Sequence, residues 1–113
     1  MPQSTPLTHA SFSEFVTANK FALVHFWAIW NGHDVAMKKL IESQIPDDLA
    51  ERVAFASFST DPPEHHELCK QHRLVSLPCL EFYREGSLVR TTIGLLAPAV
   101  LSQYLQELVE DIR

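Results

Sequence analysis

The chain reads as an α/β protein with a central mixed β-sheet and helices on both of its faces. Three observations predict this. Two nearly continuous apolar runs, Phe21-Ala22-Leu23-Val24-His25-Phe26-Trp27 and Val53-Ala54-Phe55-Ala56-Ser57-Phe58, have the composition of parallel strands buried on both sides. Between them Val35, Met37, Leu40 and Ile41 recur at helical spacing. Near the end, two strand-like segments flank a glycine turn and an amphipathic helix follows. Alternating strands and helices, then a hairpin and a helix, give the order βαβαβαββα, which needs helices above and below the sheet.

The elements follow one by one. A polar, proline-bearing start holds a short edge strand at Ser4 to Leu7, and Ser11 with Glu14 three residues on has the pattern of a capping box. A first helix runs from Phe12 to about Asn19. After the first buried strand, the Asn31 side chain is placed to cap a helix that reaches about Ser43, and Asp34 in its first turn both answers the cap and suits the positive helix end. Pro46 and Asp47-Asp48 interrupt that helix before a short turn at Leu49 to Glu51. Asp61-Pro62-Pro63 stops the second buried strand, and Glu64 to His72 is expected as a third helix with Pro63 near its first turn. Leu80 to Tyr83 and Leu88 to Ile93 form the hairpin around Arg84-Glu85-Gly86-Ser87. Ala97-Pro98 opens the last helix, with Val100, Leu101, Tyr104, Leu105, Leu108, Val109 and Ile112 on one stripe.

Size and charge narrow the function classes. At 113 residues and 46% hydrophobic, the chain can enclose one core, and without repeats or a linker residues 1–113 are expected to form a single domain. A formal charge of -5 leaves no broad basic surface for phosphates, which disfavours nucleic acid as a partner. The first residues, Met1 to Leu7, carry neither a positive segment nor an apolar one, and no later apolar run approaches membrane-spanning length. A cytoplasmic location without membrane association is therefore expected. Cys69 and Cys79 are the only cysteines and do not form C-x-x-C, so neither a disulfide scaffold nor a zinc-finger pattern is present.

The segment Phe26-Trp27-Ala28-Ile29-Trp30-Asn31-Gly32-His33-Asp34 resembles the thioredoxin motif, in which a buried strand runs into F-W-A-x-W and then C-x-x-C at a helix start. Leu74-Val75-Ser76-Leu77-Pro78 is similar to the family's V-x-S-x-P loop, whose proline is cis, and Gly86 and Gly94 match its glycines in the hairpin turn and after the last strand. The resemblance covers about Phe12 to Val109 and implies the thioredoxin fold. It also marks departures. Asn31 and Asp34 stand at the two cysteine positions, His25 stands where the family has a buried Asp, and Ser57 stands at the place of the Lys that supports it. Lys39 replaces the family's kinking proline, so a straighter helix is expected. Amide and carboxylate groups neither form nor attack a disulfide.

Three functional readings follow. The first is a redox-inactive thioredoxin-like module, not an enzyme and without a cofactor, that binds a protein or peptide. Its surface would comprise Trp30, Asn31, Gly32, His33, Asp34, Leu77, Pro78 and Gly94. The resemblance implies that a cis Pro78 leaves the main-chain groups of Leu77 facing outward for an extended partner segment. The second is an atypical thiol-disulfide oxidoreductase using Cys79 or Cys69 in single-thiol exchange, with glutathione as a candidate co-substrate and His25 as a neighbour able to activate Cys79. Against it, a buried thiol is inert. The third is a metal-binding module through His65, Cys69 and His72, spaced i, i+4 and i+7 on one helix face. Its plainer counterpart is a set of solvent-exposed histidines beside one core cysteine.

Overall fold

The computed structural model of the protein describes residues 4–74 and 76–110. Met1 to Gln3, Val75 of the loop motif and Ile112 of the last helical stripe lie outside the described residues. The elements run β1 (Thr5–Leu7), α1 (Phe12–Ala18), β2 (Phe21–Trp27), α2 (Gly32–Ser43), α3 (Asp47–Arg52), β3 (Ala54–Ser59), a single 3-10 turn (Pro63–His65), α4 (His66–Gln71), β4 (Cys79–Arg84), β5 (Ser87–Ile93) and α5 (Pro98–Glu110). The strands make one sheet in the order β1-β3-β2-β4-β5. β1, β3 and β2 are parallel, and β4 and β5 join antiparallel. This is the mixed sheet the alternation of elements predicts.

β2 is the centre because its side chains are apolar on both faces, and each face has its own cover. On one side Leu23, Phe55, Leu80 and Phe82 meet Met37 and Ile41 of α2, Leu49 of α3, and Leu101, Leu105 and Leu108 of α5. On the other, Val24, Phe26, Ala56, Phe58, Cys79 and Tyr83 meet Phe12 and Val16 of α1, with Leu68 and Cys69 of α4 alongside. Register then decides who can meet whom. His25 lies beside Ser57 and Ser57 beside Pro6, so these three share a row across the sheet. Phe26 lies beside Cys79, and His25 beside Leu80. Successive residues of a strand face opposite sides, which separates Cys79 from His25.

Several local expectations are corrected. Ser11 forms no side-chain cap on α1; its hydroxyl accepts from the Thr8 N–H at 2.9 Å and closes the preceding turn instead. The turn expected at Leu49 to Glu51 is a full helix, α3, with Asp47 and Asp48 in its first turn where the helix dipole favours them. The helix expected from Glu64 to His72 divides into the 3-10 turn and α4, and His72 follows the last helical residue. α2, with Lys39 in place of a proline, runs unbroken over 12 residues. Among the described residues no helix is long and apolar enough to cross a membrane.

The β4-β5 hairpin closes on Glu85 and Gly86, whose φ values of 51° and 84° belong to a two-residue turn of the mirror-image type. Glu85 N–H also bonds the Lys20 carbonyl at 2.7 Å, tying the turn to the start of β2. A Cβ on Gly86 would lie 3.2 Å from Thr17 Cγ2. Gly86→Ala is expected to cost about 1–2 kcal/mol from the left-handed backbone alone, read as a lower midpoint in urea denaturation with an unchanged slope.

Candidate functional site

Where β2 ends, the chain turns through Ala28 to Asn31 into α2, and one carboxylate organises the turn. Asp34, in the first turn of α2, is buried; its Oδ2 accepts the Ala28 N–H at 2.9 Å and its Oδ1 lies 3.2 Å from His25 Nε2. His25 is equally buried in the middle of β2. Burial pushes its imidazole below the ordinary value, and that effect exceeds the opposing pull of the Asp34 hydrogen bond. Asp34 therefore belongs to the interior. The expectation that it forms part of an exposed partner surface is corrected, because two buried donors hold its carboxylate inward.

Asn31 does what its position predicts and more. Its Oδ1 accepts the His33 N–H at 2.9 Å, capping α2. Its Nδ2 donates to the Leu77 carbonyl at 3.2 Å. The Leu77–Pro78 bond is cis, as the resemblance implies, and the Pro78 carbonyl accepts from Gly94 N–H at 2.8 Å. Leu77 thus does not present an unpaired carbonyl, which corrects the expectation for that edge: the amide at the first cysteine position reaches across the groove and occupies it. Around this edge Gly32 and His33 are exposed, Leu77 and Gly94 half-buried, and Pro78 buried. Ile29 and Trp30 stand out most, 79% and 74% exposed, while Ile93 and Leu95 bracket Gly94 as further exposed apolar side chains.

The two thiols sit on the far side of β2 from His25. Cys79 is buried beside Phe26, and burial pushes its thiol up to about 12, with the Glu81 carboxylate adding to the rise. Contact between Cys79 and His25 is excluded by strand alternation, which corrects that candidate pair. Cys69, on α4, is only half-buried; burial raises its thiol as well. Both cysteines are free.

The metal candidates do not converge. His65 is buried, stacks on Phe58 with ring centroids 4.3 Å apart and points Nδ1 at the Ser59 carbonyl, 2.7 Å away. His72 turns to the opposite partner, the buried Glu81, with Nδ1 2.8 Å and 2.9 Å from its two oxygens. Among the described residues no group of three His, Cys, Asp or Glu side chains could hold a metal ion. Neither His65 nor His72 is the solvent-exposed histidine of the plainer reading, since each fixes α4 and its preceding turn to the sheet; His66 is exposed.

Sequence reasoning missed Glu81, which accepts from Tyr83 O–H as well as facing His72. Its signal was present: it is the one acid within the apolar run Cys79 to Tyr83, and a buried carboxylate requires donors.

The thioredoxin family model matches residues 3–107, and the chain belongs to the thioredoxin family. Among curated relatives, thioredoxin of Acidithiobacillus ferridurans is 30% identical over 93 residues, covering 82% of this chain and 83% of the relative. Thioredoxin of Mycobacterium bovis is 28% identical over 107 residues, covering 94% and 90%. Among solved structures, a mutant thioredoxin from Halobacterium salinarum superposes with a TM-score of 0.81 at 21% identity, covering 100% of this chain and 98% of that one. These relatives correct the first functional reading. Proteins matched over most of their length are named thioredoxin, which supports the oxidoreductase reading over a redox-inactive adaptor.

The geometry of this turn sets two measurable contributions to stability. Asn31→Ala removes both the cap and the tether to Leu77 and is expected to cost about 1–2 kcal/mol, measured by denaturant titration. His25 has a folded-state value below 6.5, so the folded protein binds its proton less readily than the unfolded chain. Its contribution to stability is complete above about pH 6.5 and is lost as pH falls from there toward the depressed folded value, with a slope of at most about 1.4 kcal/mol per pH unit. The difference in unfolding free energy between wild type and His25→Gln across pH 4–8 isolates this effect.

Proposed function

We propose that the protein is a thiol-disulfide oxidoreductase of the thioredoxin kind working by single-thiol exchange at Cys69. The observation that carries the class is the match, over most of the chain, to curated proteins named thioredoxin. Within the class the choice of thiol rests on access. Cys69 is half-buried on α4, whereas Cys79 is enclosed and its thiol is pushed up to about 12. Asn31 and Asp34 supply no sulfur at the usual place.

The chemistry balances with an external thiol. The Cys69 thiolate attacks one sulfur of a protein–glutathione mixed disulfide, a bond forms to the glutathione sulfur, and the protein thiolate leaves. A second glutathione thiolate then attacks that bond, releasing Cys69 as thiolate and one glutathione disulfide. Net, the protein–glutathione disulfide and one glutathione thiol become the protein thiol and glutathione disulfide. The client lies against the exposed surface made by Trp30, Gly32 and His33.

Turnover of a glutathionylated peptide with glutathione is expected for wild type and Cys79→Ser and to fall to the uncatalysed rate in Cys69→Ser. Equal turnover by Cys69→Ser would overturn the assignment. Because burial raises the Cys69 thiol and only the thiolate attacks, the rate is expected to climb about tenfold per pH unit from pH 7 to 9. A rate flat in that range would mark an activated thiol instead.

A further inference from the structure

The sheet face that carries His25 is incompletely filled beside α2. A cavity of about 590 Å³ opens there, within the size range of small-molecule sites. The row across the sheet explains the space. His25, Ser57 and Pro6 stand side by side on β2, β3 and β1, and the short Ser57 hydroxymethyl leaves room where a long side chain would reach α2. Trp27, Val35 and Ile41 give the cavity apolar walls, and Lys38 and Glu42 of α2 pair with each other at 3.9 Å along it.

His25 offers the cavity a ring nitrogen without a protein partner among the described residues. His25 uses Nε2 for the Asp34 carboxylate, makes no hydrogen bond through Nδ1 among the described residues, and lines the cavity. With Asp34 Oδ1 accepting, Nε2 carries the ring proton and Nδ1 is a lone-pair acceptor. Burial keeps the ring below its ordinary value, so it is neutral near pH 7. The charges around it are paired: each Asp34 oxygen has a partner, in His25 Nε2 and Ala28 N–H, and Lys38 and Glu42 face each other.

We propose that this cavity binds a small uncharged molecule with an apolar body and a single hydroxyl or N–H donor, a phenol or aryl alcohol in chemical class, which donates to His25 Nδ1. The apolar body lies against Trp27, Val35 and Ile41, while the donor selects among apolar molecules of similar shape. The site faces the opposite side of β2 from Cys69 and does not depend on the thiol chemistry.

Titration of the full chain with 4-methylphenol tests this, followed by calorimetry and by the ring nitrogen resonances of His25. The control is 4-methylanisole, which keeps the ring and methyl group but replaces the donor with an ether. One molecule of 4-methylphenol per chain is expected, with a shift of the Nδ1 resonance at saturation and at least about tenfold weaker binding of the ether. Ser57→Met, which fills the space and leaves His25 and Asp34 in place, is expected to weaken 4-methylphenol at least about tenfold. Equal binding of phenol and ether, no saturable binding, an unmoved Nδ1 resonance, or unchanged affinity in Ser57→Met would each overturn the proposal.

Discussion

The Asp34 carboxylate is the constraint from which the rest of the site follows. It is buried at the start of α2, where it accepts the Ala28 N–H and faces His25 Nε2. A buried carboxylate is costly unless donors surround it, so these contacts fix three things together: the end of β2, the entry of α2 and the orientation of the His25 ring. Asn31 is held one turn earlier as the helix cap, and its amide spans to Leu77 beside the cis Pro78. The two positions where a dithiol would stand are thereby occupied by an internal lock and a cross-groove tether.

That arrangement moves the question of sulfur elsewhere in the fold. Strand alternation puts His25 on the α2 side of β2 and Cys79 on the α1 side, so imidazole and thiol cannot cooperate. Enclosure makes Cys79 a core side chain that happens to be a thiol. Cys69, on a short helix at the edge of the same core, is the less enclosed of the two cysteines. Membership of the thioredoxin family and the exposed apolar side chains Ile29 and Trp30 at the β2-α2 turn keep the molecule within the thioredoxin frame.

Most of the fold was legible because it rests on patterns a sequence carries directly. The apolar runs of β2 and β3, the Glu85-Gly86 turn and the stripe of α5 all appear where periodicity and turn chemistry place them. The Asn31 cap was legible for the same reason. What escaped depends on partners distant in sequence. Ser11 looked like half of a capping box but its hydroxyl answers Thr8. Asp34 looked like a surface group of a helix start, and only the arrival of His25 and Ala28 makes it internal. The i, i+4, i+7 spacing of His65, Cys69 and His72 described one face of a helix that the structure divides, sending His65 to the Ser59 carbonyl and His72 to Glu81. The redox-inactive expectation weighed the missing cysteines together with the missing buried Asp and Lys above the similarity of the whole chain to thioredoxins, and the relatives reverse that weighting.

The most direct test of the account is where a mixed disulfide forms. The native chain, incubated with oxidised glutathione at pH 8, digested under acid quench and mapped by mass spectrometry, is predicted to carry glutathione on Cys69 with Cys79 unmodified. Glutathione on Cys79 in the native chain, or on neither cysteine until the protein is denatured, would contradict it.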